Sequence, residues 1–507
     1  VESQRDTDSD YILWSAIFNS LGLEIPEFIE KIMTDHDTTN EENEYWGKNY
    51  FQYLYDKIPG DLNLHDHQKR ALDGWINNNH RGILQHATGT YKTATGLCAA
   101  AHLLSNHCNL VIISSPYQVV SSQWLELSKK CFKDTLIVPC WGDSKHKGWQ
   151  EKLEAASIKA REGSAKVLAI FVENSLFGKK KHRNNTSDLL IDFSNRGGKI
   201  GLVADEMHNW ISYSEDAVST RFMKNQSEII DFRLGLSAKI DVQGKECYPQ
   251  NLFTRNWLSY SLDSKESFID NFFLKDAIDK GYLRKYQYEV VKIDVSIPEQ
   301  FLSKYGPKAT FDEAINKFYT LATQYAIENV HRIIGDKDTE RLLVYTGPKI
   351  QHAEELVQDL TNSRPWHSVE KIKKFTSDET PGVRENLLNE FKNGLTKILV
   401  AIKCLDEGVN LPIAYSALMI ESSKADDRQW VQRRGRILRK ISGESKFAKI
   451  IDFHPSFIGP ALTNGDLGMK LREKREFSFK RIREFAKTAE LKSRLELSKL
   501  WGSADGR

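Results

Sequence analysis

The sequence contains no apolar run near the ~18 residues that span a bilayer, which excludes a membrane-spanning helix. Its first stretch, VESQRDTDSDY, lacks the basic and apolar segments of a signal peptide, so a cytoplasmic protein with no membrane partner is expected. Six cysteines (Cys98, Cys108, Cys131, Cys140, Cys247, Cys404) are scattered without a C-x-x-C pair, and no histidine cluster at zinc-ligand spacing accompanies them. Buried, reduced thiols are the expectation. Neither charge sign dominates: 71 Lys plus Arg against 69 Asp plus Glu leave +2, so any nucleic-acid surface must be local.

What is present is a soluble globular composition, 40% hydrophobic and 28% charged, over 507 residues, which is too long for one core. Residues 1–59, rich in aromatics and acids at helix-like spacing, suggest a helical N-terminal region. Over 60–245, short apolar runs (GILQHA, NLVIISSP, KVLAIFV, KIGLVADE, FRLGLSA) alternate with helix-like segments, the signature of βαβ units. A second series (RLLVYTGP, VEKIKKFTS, TKILVAIK, YSALMIES, AKIIDFHP) fills 286–456. The expected fold is α/β, two parallel-sheet domains in tandem with helical extensions. Residues 246–285 read as the linker, with a helix-like run ending at Gly281 before a strand.

Residues 457–507 form a basic helical tail, and 470–494 hold ten Lys or Arg against four Glu. Such a helix can follow a phosphate backbone, or it can pack on the second domain through Phe479, Ile482, Phe485 and Ala489. Both readings stay open. The basic stretch GKKKHRNN, 178–185, is read as a loop that either extends a nucleic-acid grip or is simply solvated.

Three motifs carry chemistry. GILQHATGTYKTATG (82–96) is an apolar strand running through a small-residue loop into a helix-like run. Such a loop surrounds a phosphate with backbone N–H groups, while Lys92 supplies charge and the Thr93 hydroxyl ligates Mg²⁺. In the pattern G-x-x-x-x-G-K-[ST], His86 stands at the first glycine and Tyr91 at the second. GLVADEMHNW ends a strand in Asp205 and Glu206, a pair suited to holding Mg²⁺ and polarising an attacking water. QWVQRRGRILRK (429–440) places Arg436 and Arg439 on one helix face, where planar, permanently charged forks can engage a phosphoryl group.

Together these motifs resemble those of superfamily 2 helicases and translocases with two RecA-like lobes, and among them the DExH group that includes type I and type III restriction-enzyme motors. LHDHQKRALDGW resembles the adenine-sensing element, with Gln68 at the base-reading position. HATGTYKT resembles motif I, usually M-A-T-G-T-G-K-T, so that Thr88, Gly89, Thr90, Tyr91, Lys92 and Thr93 would contact nucleotide. SSPYQVVSSQW resembles motif Ia, with Pro116, Gln123 and Trp124. VENSL falls at motif Ib, with Glu173 and Asn174 near the nucleic-acid backbone. DEMH, ending in the coupling residue His208, resembles the DExH box, and LGLSAK motif III, with Ser237 and Ala238 matching and Lys239 replacing threonine. LVYTGPKIQHAEEL resembles motif IV, placing Thr346 and Gly347 by nucleic acid. FKNGLTKILVAIKCLDEGVNLP resembles motif V through Glu407, Gly408 and Asn410, whereas Ile402 and Lys403 stand where Thr and Asp are common. QRRGRILR matches motif VI in full, so Gln432, Arg436 and Arg439 carry over as catalytic residues.

The resemblance implies ATP and Mg²⁺ in the cleft between the lobes, DNA across both with RNA left open, and ATP hydrolysis using Glu206, Asp205 and Lys92. Type I and III motors also imply further subunits for nuclease or recognition work and a place in prokaryotic (antiviral) defence, with DNA repair or replication-fork processing as the alternative. Tyr91 raises an alternative, a nucleotide- and DNA-binding scaffold with weak or no turnover. A bulky residue at positive φ costs on the order of 1–3 kcal/mol, so the loop is expected to turn more nearly helical there, with the ring pointing away from phosphate.

Overall fold

The computed structural model describes residues 64–142, 146–177, 180–207, 229–238, 268–296, 320, 322–328, 330, 341–346, 350–362, 371–376, 378–402, 414–420, 427–440, 447–458, 482–490 and 493. The expected N-terminal helices lie outside them. Both sheets belong to one compact unit, 63–507.

The first sheet has seven parallel strands, β1 (Arg81–His86), β2 (Leu110–Ser115), β3 (Thr135–Cys140), β4 (Lys166–Val172), β5 (Ile200–Ala204), β6 (Phe232–Ser237) and β7 (Phe268–Phe272), ordered β3-β4-β2-β5-β6-β1-β7. Its central strands are buried along nearly their whole length, as a parallel sheet covered on both faces requires. The connecting helices are α1 (Asp66–Asn77), α2 (Lys92–Asn106), α3 (Gln118–Cys131), α4 (Trp149–Arg161), α5 (Glu173–Phe177) and α6 (Lys180–Asn195). The second sheet is also parallel: β8 (Tyr286–Ser296), β9 (Leu342–Tyr345), β10 (Ile372–Phe375), β11 (Ile398–Ala401), β12 (Ser416–Met419) and β13 (Ala448–Ile458), ordered β10-β11-β9-β12-β13-β8. Its helices include α7 (Leu274–Asp279), α8 (Ile350–Asn362), α9 (Pro381–Lys392) and α10 (Asp427–Ile437). Two α/β lobes in tandem therefore stand as expected.

Three details differ from the sequence reading. The span 246–285, expected only to link the halves, contributes β7, which pairs with β1 over Ile83–His86. The edge strand β3 (TLIVPC) was not anticipated; its Pro139 lacks a donor and is tolerated because only one side of the strand is paired. Residues 180–185 begin helix α6 rather than forming a loop, because Leu190 and Phe193 further along anchor that helix in the core.

The tail is in part a piece of the second lobe. Ile482, Phe485 and Ala489 join its core, and Tyr286 donates its hydroxyl to the Phe485 carbonyl. Cys98, Cys108, Cys131 and Cys140 are buried free thiols, and burial raises Cys98 and Cys108 to about 12. Among the described residues no helix is long and apolar enough to cross a membrane.

The packing of α2 against the sheet depends on Gly96. A Cβ there would lie 2.6 Å from the Trp124 ring, 2.9 Å from Leu236 and 3.2 Å from Val203. Gly96→Ala is expected to destabilise the first lobe by about 1–3 kcal/mol through overpacking, read as a lower denaturation midpoint. An unchanged midpoint would show that Trp124 repacks freely.

Candidate active site

The phosphate-type loop, residues 87–91, connects the end of β1 to the start of α2. Thr90 closes it, its hydroxyl donating to the Ala87 carbonyl at 2.7 Å, and Gly89 takes φ 89°. Lys92, the first residue of α2, is buried, with Nζ 3.1 Å from the His86 carbonyl and 3.4 Å from that of Ala87. Thr93 follows, half-buried at the helix N-terminus.

Tyr91 corrects the expectation of a more helical loop: it sits at φ 63°, ψ 35°, the left-handed conformation a glycine would adopt. The surroundings hold it there. Gln68 Nε2 donates to the Tyr91 carbonyl at 3.2 Å, His67 Nε2 lies 3.1 Å from the Thr90 carbonyl, and the Thr95 amide donates to the Tyr91 carbonyl at 3.2 Å. The tyrosine ring, 51% exposed, lies beside His65 with centroids 5.3 Å apart.

Gln68 is fully engaged within this element. Its amide oxygen accepts from the His65 amide at 2.9 Å, and Nε2 also donates to Thr95 Oγ1 at 3.1 Å. The structure thus places Gln68 as a clamp between α1 and the loop. Burial lowers His67 to about 4, leaving it a neutral donor.

His86, where the pattern has its first glycine, ties the loop to the edge strand. Its buried ring puts Nε2 2.8 Å from Asp270 Oδ2 on β7, and Asp270 is also gripped in bidentate fashion by Arg70 at 2.8 and 3.0 Å.

The carboxylates stand at the end of β5. The Asp205 amide donates to the Ser114 carbonyl at 2.8 Å, and Trp124 Nε1 donates to Asp205 Oδ2 at 2.8 Å. Burial, with the charge of Glu206 next to it, pushes the Asp205 carboxyl up despite the Trp124 bond. Glu206 is at φ 48°, its amide donating to Asp205 Oδ1 at 3.0 Å.

The second lobe reaches this loop through α10. A Cβ on Gly435 would overlap the Thr88 side chain and lie 3.1 Å from the Thr88 carbonyl; one on Gly89 would lie 3.0 Å from Leu283 Cδ2, 3.3 Å from the Gly435 carbonyl and 3.6 Å from Arg439 Cγ. Residues 281–284 fix the end of α10: Leu283 forms an antiparallel bridge with Arg439, the Arg284 amide donates to the Leu438 carbonyl at 2.8 Å, and Lys440 Nζ donates to the Gly281 carbonyl at 3.1 Å. Burial and the nearby Arg436 lower Arg439 to about 10, so it stays charged at neutral pH.

Arg436 is buried and Gln432 half-buried on the same helix. Two neighbouring arginines serve the fold instead: Arg433 lies over the Tyr345 ring at 4.7 Å, and Arg434 over Phe485 at 4.1 Å while paired to Glu484 at 3.2 Å.

The structure therefore gathers Gln68, Thr88, Gly89, Thr90, Tyr91, Lys92, Thr93, Gly435 and Arg439 around one loop. Of the residues expected near nucleic acid, Pro116 is buried and Gln123 and Glu173 are half-buried, while Asn174 lies on α5. Thr346 is fully buried directly after β9, its amide donating to the Ala401 carbonyl at 3.0 Å. Ser237 is buried at the end of β6, and Gly347, Gly408, Asn410, Glu407, Lys403, Lys239 and His208 lie outside the described residues.

Sequence reasoning missed His67, although it stands beside Gln68 in LHDHQKRALDGW, and it missed Asp270, Leu283 and Arg284, which belong to no local motif. It also found no histidine cluster, whereas His80, His102 and His107 stand together in the first lobe. The separation of four residues between His102 and His107 was a readable signal; His80, distant in sequence, was not.

Residues 61–241 match the family described as type III restriction enzyme, res subunit, and 325–440 match the helicase conserved C-terminal domain. The chain is 24% identical over 422 residues to DNA 3'-5' translocase XPB2 of Sulfurisphaera tokodaii, covering 79% of this chain and 83% of that one. It is 28% identical over 163 residues to UvrABC system protein B of Aliivibrio fischeri, covering 31% of this chain and 23% of that one. Among solved structures, the ATP-dependent Type ISP restriction-modification enzyme LlaBIII bound to DNA shares the fold with TM-score 0.51 at 16% identity, covering 79% of this chain and 28% of that one. With matching family regions in both lobes, the chain belongs to the superfamily 2 helicases and is related to the motors of restriction enzymes.

Proposed function

We propose that the protein is an ATP-dependent DNA translocase or helicase working in the cytoplasm, the motor of a larger DNA-processing or prokaryotic defence assembly. The observation that carries this reading is the contact of α10 with the phosphate loop, where Gly435 meets Thr88 and Arg439 meets Gly89. That contact puts an arginine of one lobe beside the lysine-bearing loop of the other, the arrangement a phosphoryl-transfer site between lobes needs. DNA as the partner is supported by the likeness to XPB2, a DNA translocase, and to LlaBIII, a restriction-modification enzyme whose structure is bound to DNA.

The residues fit a nucleoside triphosphate with Mg²⁺. The N-terminus of α2 directs amides at the loop and favours an anion there. Asp205 is lifted by burial and by Glu206, a strain that a divalent cation relieves. In this reading Thr93 and Asp205 hold the metal, which supplies charge neutralisation at the phosphates. Lys92 leaves its loop carbonyls to meet the phosphates, Glu206 orients the attacking water, and Arg436 and Arg439 with Gln432 sense the phosphoryl group from the second lobe.

The left-handed backbone of Tyr91 supports turnover over the scaffold alternative. The loop keeps the path a glycine would give it, with the strain met by carbonyl hydrogen bonds to Gln68 and Thr95.

In steady-state assays, ATP hydrolysis stimulated by duplex DNA is expected, with Glu206→Gln lowering kcat by roughly 10²–10⁴-fold and Lys92→Ala abolishing DNA-stimulated turnover. Turnover equal to that of these variants would sink the motor reading. Gly435→Ala is expected to keep both lobes folded but lower kcat on the order of 10²-fold, because the added methyl pushes α10 off Thr88. Wild-type kcat in that variant would show that the contact is dispensable. Tyr91→Gly is expected to leave kcat within a few-fold, since glycine accepts the same φ, and to change stability by less than about 1 kcal/mol; a large activity loss would give the ring its own role.

A further inference from the structure

The three histidines missed in the sequence lie at the end of the first lobe away from the phosphate loop. His80 is the last residue before β1 and takes φ 58°; His102 lies in the last turns of α2 and His107 caps it. The unit β1–loop–α2 therefore has Lys92 at one end and these imidazoles at the other, separated by the ~22 Å length of α2.

Their ring nitrogens converge. His80 Nε2 is 3.0 Å from His102 Nε2, His107 Nε2 is 3.2 Å from the same atom, and one nitrogen from each ring lies within 4.8 Å of the others. Ligands bound tetrahedrally at the usual Zn–N distance of about 2.0–2.1 Å stand ~3.3 Å apart, close to these separations. A hydrogen-bonded triad explains the geometry less well. His102 Nε2 carries either one proton or one lone pair, so it cannot make a full hydrogen bond to both neighbours, whereas a cation accepts three lone pairs together.

We infer that His80, His102 and His107 form a binding site for a single transition-metal ion of the zinc type, with water in the fourth position. Imidazole nitrogens suit Zn²⁺ and its neighbours and not Mg²⁺, so this site is chemically distinct from Thr93 and Asp205. The half-exposure of His80 and His107 leaves the fourth position open to water. Around it, the Trp75 ring lies edge-on to His80 at 4.9 Å, and Phe232 lies 5.6 Å from His80 and 5.3 Å from His107, an apolar collar that fixes the rings. Asn106 lies 3.5 Å from His102 Nδ1; with its amide oxygen turned inward it accepts the Nδ1 proton and leaves Nε2 free to ligate. Burial keeps the imidazoles neutral, lowering His80 and His102 to about 4 and His107 in the same direction.

A metal bound here ties the start of β1 to the end of α2, closing the open end of the unit that carries the phosphate loop.

The test uses the full chain without a histidine tag, stripped with a chelator and held in excess Mg²⁺. Calorimetric titration with Zn²⁺ is expected to give one equivalent per chain, Co²⁺ to give the visible d–d bands of a nitrogen-ligated site, and Zn²⁺ to raise Tm. His102→Ala is expected to abolish this binding. His107→Ala, at a half-exposed position that tolerates truncation, is expected to weaken it at least tenfold while Tm without metal stays near that of the wild type. No equivalent bound by the wild type, as for a hydrogen-bonded triad, would overturn the inference. So would unchanged stoichiometry and affinity in the folded His107→Ala variant, which would place the metal elsewhere.

Discussion

The coupling of the two lobes depends on a backbone approach that side chains would prevent. Gly435 carries no Cβ where one would overlap Thr88, and Gly89, at φ 89°, gives room for Leu283, the Gly435 carbonyl and the stem of Arg439. Close packing of this kind is short-ranged, so a displacement of an ångström or two removes it. Beside this approach Arg439 lies near the buried Arg436, whose charge adds to desolvation in lowering Arg439.

The phosphate loop shows how tertiary contacts can replace an intrinsic preference. Glycine before the lysine makes the left-handed turn without strain, whereas tyrosine pays on the order of 1–3 kcal/mol for it. Here the N-terminus of α1 supplies the compensation. His67 and Gln68 hold the carbonyls of Thr90 and Tyr91, and Gln68 holds Thr95 in the first turn of α2. His86 plays the matching part on the other side, bound through Asp270 to Arg70 on α1. Both pattern glycines are thus replaced by residues that lash the loop to its neighbours.

What the sequence made legible is what local pattern encodes. The buried runs of β2, β4 and β5 could be read because a covered parallel strand is apolar on both faces, and the places of Lys92 and Asp205 because each follows an apolar strand, Lys92 across a short loop. β7 could not, since FIDNF carries two polar residues and is a strand only because Asp270 meets His86 and Arg70. The resemblance to motif IV places Thr346 by nucleic acid, and its burial is a matter of packing that no local pattern shows. Leu283 and Arg284 had no signal at all: their role exists only once the end of α10 lies beside them.

The path of the chain gives this last group its importance. β1 lies between β6 and β7, so the loop it carries is flanked by the end of motif III on one side and by the exit from the first sheet on the other. From β7 the chain passes through α7, turns at Gly281 with φ 71°, and touches both Gly89 and Arg439 at Leu283 before entering β8. The covalent connection between the sheets therefore runs past the loop that carries Lys92. Arg284 and Lys440 bind this segment to the end of α10, so the connection between the sheets and the arginine-bearing helix are held together as one piece. At the loop itself, Leu283 and the Gly435 carbonyl approach Gly89 together, so its missing side chain is what admits both.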